Sequence, residues 1–355
     1  MDSAAVKRIC LIINGLILAV GNCGGPLVMR LYFIHGGKRV WFSAWLETGG
    51  WPVILIPLTI AYFRRLRQAA TPPKIFFMKR RVFGASVVIG ILTGMVDYLY
   101  AFGVAKLPLS TSAVIVASQL AFTAVFAYLF VKHKFTPYSI NAIVTLLVGA
   151  VVLAIHSDSD RPKGESSKEY LLGFFMTVMG AFLYGVILPL MELTYLKANQ
   201  QITYTLVLEI QLVTNFSATV FCTIGMLINH DFQAIPKEAE AYALGSTMYI
   251  LVVLCNGVMW QCFYLGAIGV IFYASSLLSA IIIHALLPTT ELLAVLFYHE
   301  SFQAEKGISL FLCLWGFTSY FYGEIKRERR NKRKNLESNQ TTELQVTSTH
   351  SPANV

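Results

Sequence analysis

The chain has 355 residues, 56% of them hydrophobic and 13% charged, with a net charge of +9 and six cysteines. Soluble domains carry about 25% charged residues, so the composition excludes a water-soluble enzyme or binding module and points to an integral membrane protein. The excess of positive charge reads as loop topology and contact with anionic lipid, not as nucleic-acid binding, because the basic run 326–334 directly follows an apolar stretch.

A spanning helix needs about 20 mostly apolar residues, and ten such stretches occur, at 9–33, 41–62, 82–104, 109–131, 138–156, 170–195, 203–228, 241–269, 273–298 and 307–324. The first is too long for a cleaved signal and has no small-residue cleavage site after it, so it is expected to remain as a helix. Within it, Gly21-Asn22-Cys23-Gly24-Gly25-Pro26 predicts a loosened or broken helix that exposes backbone to a cavity. The second stretch carries Glu47, the third Asp97-Tyr98, and the fourth Gln119 near its middle. The seventh carries Glu209, the eighth Trp260-Gln261, and the ninth His284 and Pro288-Thr289-Thr290-Glu291. The polar stretches 64–81, 157–169 and the tail from 325 are too short to bury a core of their own. The tail is expected to be disordered, and its sequon at Asn339 to go unused if it faces the cytoplasm. No CxxC pair or other ligand spacing suggests a disulfide framework, a metal or a cofactor.

Breakers and charges recur at a nearly fixed offset. Pro26 and Pro189 stand 163 residues apart, Gly103 and Gly266 also 163, and Glu47 and Glu209 162. Two halves with five spans each must insert in opposite orientations, which is the inverted-repeat design of secondary transporters. The expected fold is therefore an all-α integral membrane protein of ten transmembrane helices in two inverted five-helix repeats. These occupy residues 1–156 and 170–326, joined by the linker 157–169 and followed by the tail 327–355. Placing both termini in the cytoplasm puts 19 Lys and Arg on that side against 8 on the other, as the positive-inside rule requires.

Carboxylates inside hydrocarbon are costly and mark function by default. Glu47 and Glu209 each lie six residues into a segment, about 9 Å deep at 1.5 Å per residue, and are approached from opposite sides. That suits protons taken up on one side and released on the other, so Glu209, Glu47 and Glu291 are the proton-coupling candidates. The competing reading is a buried carboxylate that ties helices together. Glu192, beside Lys197 near a helix end, reads as interfacial. A carboxylate or amide beside aromatic rings suits a planar, nitrogen-rich heterocycle, stacked on its faces and bonded at its edge. Asn22, Trp45, Asp97, Tyr98, Gln119, Trp260 and Gln261 are the candidates for that role, whereas Trp41 and Trp51 are equally suited to interfacial anchoring. His284 reads as a packed or hydrogen-bonded imidazole. HExxH, P-loop and GxSxG motifs are absent, so the chain is not read as an enzyme, and its few unlike acids do not form the charged ring of a channel.

The stretches GPLVMRLYFIHGGKRVWFSAWLETGGWPVILIPL (25–58), LPLSTSAVIVASQLAFTAVFAYLFVKHKFTP (107–137), YTLVLEIQLV (204–213) and the run from LGAIGVIFYASS to FYGEIK (265–326) resemble plant purine permeases, within the drug/metabolite transporter superfamily. The resemblance implies a ten-helix carrier whose cavity is lined mainly by segments 1–4 and 6–9. It also implies proton-coupled uptake of adenine, cytokinins and related bases, with alkaloids or vitamin B6 carried by some members. Glu47 and His284 depart from the small or aliphatic residues expected there, which makes Glu209 the safer coupling residue. The resulting expectation is a plasma-membrane proton symporter whose partners are a purine-type small molecule, protons and lipid, as a monomer or dimer. The alternatives are an alkaloid or vitamin B6 carrier and a ligand sensor without transport.

Overall fold

The computed structural model describes residues 3–68, 76–106, 109–155, 167–298 and 304–349. Among these, every regular element is a helix. In the N-terminal half, α1 (Ser3–Ile34) is followed by α2 (Val40–Thr48), a 3-10 turn at Trp51–Ile54 and α3 (Leu55–Gln68), then α4 (Arg80–Lys106), α5 (Leu109–Val131) and α6 (Pro137–Ile155). The C-terminal half has α7 (Ser167–Leu196), α8 (Tyr204–Ile228), α9 (Asp231–Ala241), α10 (Ser246–Tyr273), α11 (Ser276–Ala285), α12 (Leu287–Tyr298) and α13 (Ala304–Thr349).

Seven runs among the described residues are long and apolar enough to cross a bilayer: Ala5–Ile34, Val40–Arg67, Arg80–Phe102, Leu171–Leu196, Tyr204–Ile228, Ser246–Tyr273 and Ser276–Tyr298. Ile115–Val131 and Pro137–Val152 are shorter apolar helices. Large apolar side chains such as Leu16, Phe175, Leu251 and Phe311 point outward, away from the packed interior, as they do in a helical membrane protein whose outer solvent is lipid.

Two of the apolar stretches are interrupted. The second breaks at Gly49-Gly50, where Pro52 enters the 3-10 turn, and the ninth breaks at Leu286, two residues before Pro288. The eighth begins later than its apolar run, at Ser246, because 231–241 forms the separate polar helix α9. The expected break at Gly21–Pro26 does not occur, since α1 runs through with Pro26 inside it. Transmembrane helices accommodate proline when neighbours satisfy the freed backbone. The glycines there serve close packing instead. A Cβ at Gly21 would lie 2.1 Å from the Phe263 backbone nitrogen, and one at Gly266 would lie 2.3 Å from that of Leu18. Small residues on both helices thus let the α1 and α10 backbones touch.

Among the described helices the α1–α10 contact is the most extensive, followed by α6 with α13 and α4 with α7. Helix α4 also packs on α8, α2 on α4, α8 and α10, α5 on α6 and α7, and the α11–α12 pair on α1 and α13. The main core, including Leu18, Ile89, Leu120, Ile210, Leu277 and Ile281, runs through this arrangement.

Candidate functional site

Polar side chains gather where α2, α4, α8 and α10 meet. Gln211 and Asn215 lie one turn apart on α8, which places them on one face, and Gln211 Nε2 donates to Asn215 Oδ1 at 2.6 Å. Asn215 Nδ2 donates to Gln261 Oε1 at 2.7 Å, and Gln261 Nε2 donates to the Thr48 carbonyl at 3.3 Å. The Thr219 hydroxyl bonds the Asn215 carbonyl at 2.7 Å and lies 3.2 Å from the Thr48 hydroxyl. All of these groups are buried. An unpaired polar group there would be costly, and the chain of bonds removes most of that penalty. Thr48 reaches the cluster because α2 ends at it, just before the Gly49-Gly50 break.

The carboxyls of Glu47 and Asp97 lie beside this chain and face each other across the α2–α4 contact. They are 6% and 3% exposed. The Tyr264 hydroxyl of α10 donates to Asp97 Oδ1 at 3.2 Å. Next to them is a cavity of about 30 Å³, lined by Thr93, Tyr184, Gln211, Thr214, Tyr264 and apolar side chains of α4, α7, α8 and α10. That volume holds about one or two waters, so any larger molecule needs these helices to part.

Aromatic side chains surround the cluster. Tyr98 stacks on Trp41 with centroids 3.8 Å apart. Trp45 Nε1 donates to the Thr223 hydroxyl at 3.1 Å. The Trp260 ring lies against Gly25 of α1, and its indole N–H is buried without an acceptor among the described residues.

The remaining candidates lie elsewhere. Asn22 donates to the Ile283 carbonyl at 3.1 Å, tying α1 to α11, and Gln119 is buried on α5. His284 Nδ1 lies 2.8 Å from the Ala280 carbonyl. The side chain of Glu291 is outside the described residues. Glu192 accepts the Ser276 backbone N–H at 2.7 Å, at the start of α11.

Glu209 sits at the loop end of α8, where Oε2 accepts the Phe77 backbone N–H at 2.9 Å. Arg65 lies 4.4 Å over the Phe77 ring, and Lys79 Nζ bonds the Asn199 carbonyl at 2.5 Å. The far end of α8, about 28 Å from Glu209 at 1.5 Å per residue, is covered by α9. There Glu238 accepts the hydroxyls of Tyr32 and Tyr249 and the Lys38 backbone N–H. Arg39 lies 3.6 Å from Asp231 and 4.0 Å from Glu238. The Tyr242 hydroxyl, pushed above its ordinary range chiefly by burial and then by Tyr298 and Glu238, donates to the Leu31 carbonyl at 3.1 Å.

Sequence reasoning picked out Glu47, Asp97 and Gln261 but missed Tyr264, Gln211, Asn215 and Tyr184. The i,i+4 amide pair on α8 was a readable signal, whereas tyrosines on apolar helices gave none.

A model of the family described as purine nucleobase transmembrane transport (PUNUT) matches residues 9–330. Purine permease 3 of Arabidopsis thaliana is 55% identical over 94% of this chain and 95% of its own. Purine permease 2 of the same plant is 49% identical, covering 96% of this chain and 98% of its own. A solved chain described as "Crystal structure of protein" superposes with a TM-score of 0.51 at 14% identity, over 87% of this chain and 97% of that one. That likeness concerns the fold alone.

Proposed function

Since this chain belongs to the purine permease family, and is a multi-pass membrane transporter rather than an enzyme, we propose that it imports purine bases and derivatives such as adenine and cytokinins by proton-coupled alternating access. The observation that carries the reading is the buried polar chain Gln211–Asn215–Gln261–Thr48 beside two carboxyls, deep in an otherwise apolar bundle. Amides present paired donors and acceptors that match the edge of a nitrogen-rich heterocycle, and buried acids suit proton exchange.

The architecture behind this proposal is ten spans in two inverted halves. Exchanging each span for its counterpart five places on turns the α1–α10 contact into α7–α4, α8–α4 into α2–α10, and α5–α7 into the contact of α11–α12 with α1. The α2–α8 and α6–α13 contacts map onto themselves. Such paired contacts favour two-fold related halves that rock about a central site. In this scheme Glu47, Glu209 and Glu291 exchange protons, while Asn22, Trp45, Asp97, Tyr98, Gln119, Trp260 and Gln261 hold the base. The loop ahead of α4 that Glu209 holds and the α9 cluster close the two ends, and the small cavity between them suits a shut intermediate. The proposed location is the plasma membrane, with both termini in the cytoplasm.

The test is radiolabelled adenine uptake in yeast lacking its own purine carrier, at acidic and neutral external pH, with and without a protonophore. Acid-stimulated accumulation that collapses with protonophore and is competed by cytokinin is the expected result. No adenine uptake by protein shown at the cell surface would overturn it. Glycosylation of Asn339 in microsomes would invert the topology.

A further inference from the structure

We propose that Glu47 and Asp97 share a single proton and together form the site that carries the transported proton, so that Asp97 belongs to proton exchange and not to base recognition. This rests on the proton-coupled reading above and narrows it to one pair of residues.

The geometry is that of two carboxyls from different helices facing each other where water is excluded. Both are buried, and their carboxyls come within hydrogen-bonding reach of each other across the packed α2 and α4 helices. A carboxylate only accepts, so a bond between two carboxyls requires a proton on one of them. Tyr264 serves Asp97 Oδ1 while Asp97 Oδ2 is buried with no donor, so the pair lacks a second donor unless one of the carboxyls carries a proton. Among the described residues, no Lys, Arg or His is among the groups that act on either carboxyl. The titratable groups that face it are Tyr184 of α7, Cys222 of α8 and Tyr264 of α10, which are neutral at physiological pH in their ordinary state. Two like charges that close cannot both persist, and such a pair titrates as a unit.

The pair also has a link to the substrate region. Tyr264, which bonds Asp97, lines the central cavity together with Tyr184 and Gln211. Parting of α4, α8 and α10 to admit a base therefore disturbs the Tyr264 bond and changes how firmly the pair holds its proton. Glu209, bonded to the loop ahead of α4, then acts as a latch at one end and not as the proton carrier.

The test is the ratio of gradient-driven adenine accumulation to adenine exchange, measured in the yeast assay for wild type, E47Q, D97N, E47D and D97E at matched surface expression. Each amide variant is expected to lower the ratio by about tenfold or more, the factor of one pKa unit. The two variants that keep a carboxyl should retain the ratio while shifting its pH midpoint, which a purely structural bond would not do. Wild-type ratio and midpoint in both amide variants overturn the proposal, as does equal loss in all four variants, which marks a packing role. Where an amide variant does not reach the surface, infrared spectra of the purified protein decide. A protonated-carboxyl band at neutral pH that moves in E47D or D97E supports the shared proton, and absence of the band overturns it. Wild-type accumulation that ignores external pH and protonophore sinks the proton-coupled reading itself, and is recognised before any variant is compared.

Discussion

Glu47 and Glu209 stand 162 residues apart, each six residues into its apolar stretch, yet their carboxyls meet opposite surroundings. Glu209 faces the loop ahead of α4, where its Oε2 accepts the Phe77 backbone N–H and Arg65 lies over the Phe77 ring. Glu47 faces another acid, with neutral groups around both. The difference shows that depth and residue type alone do not assign a role to an intramembrane acid, because the neighbours decide whether its charge is held fast or exchanged.

The scaffold beneath both acids gives the largest expected effect. Gly266→Leu drives a side chain into the α1 backbone and should cost about 3 kcal/mol or more. Loss of surface expression together with a lower thermal unfolding temperature in detergent would display it, whereas near-wild-type stability would refute the close seam. Glu209→Gln keeps an acceptor for the Phe77 N–H but replaces the carboxyl with a neutral amide and should loosen that end by about 1 kcal/mol. A cysteine at Met78 should then react faster with a membrane-impermeant maleimide in inside-out vesicles. The same label should not respond to Glu47→Gln, and an equal response would erase the contrast between the two acids.

Tyr264→Phe deletes the donor to Asp97 Oδ1 and is expected to cost about 1 kcal/mol. It should also move the pH midpoint of uptake, and an unmoved midpoint would separate Tyr264 from the carboxyl pair. The smallest effect belongs to the α9 end. Arg39 is substantially exposed and pairs at 3.6 Å with Asp231, so Arg39→Gln should change stability by about 0.5 kcal/mol. That difference should shrink in high salt, and a salt-independent loss of several-fold larger size would show a buried role for this pair.

Much of the helical plan was readable because burial in lipid demands long apolar runs, and a run can be recognised without knowing its neighbours. The interruptions were less so. Gly21–Pro26 and Gly49–Pro52 carry similar breakers, but α1 continues through the first while the chain turns at the second. The glycines of α1 are matched by close approach of α10, a partner invisible in the local sequence. Helix α9 escaped notice because its polar composition reads as loop, and its role comes from Glu238 gathering Tyr32, Tyr249 and Lys38.

The candidate site was legible to the same degree. Glu47, Asp97 and Gln261 stood out because charge and amide are rare in hydrocarbon, but nothing local distinguished Glu47 from Glu209 or singled out Tyr264 among the tyrosines. The sequence by itself determined a helical membrane protein and its family, since hydropathy and family motifs are properties of the chain read in order. Only the tertiary structure decided that Glu47 meets Asp97, that Gln211, Asn215 and Gln261 form one chain of bonds, and that Glu209 holds a loop. Those pairings bring together residues distant in sequence, and the physical state of a buried polar group is set by the atoms that replace its water.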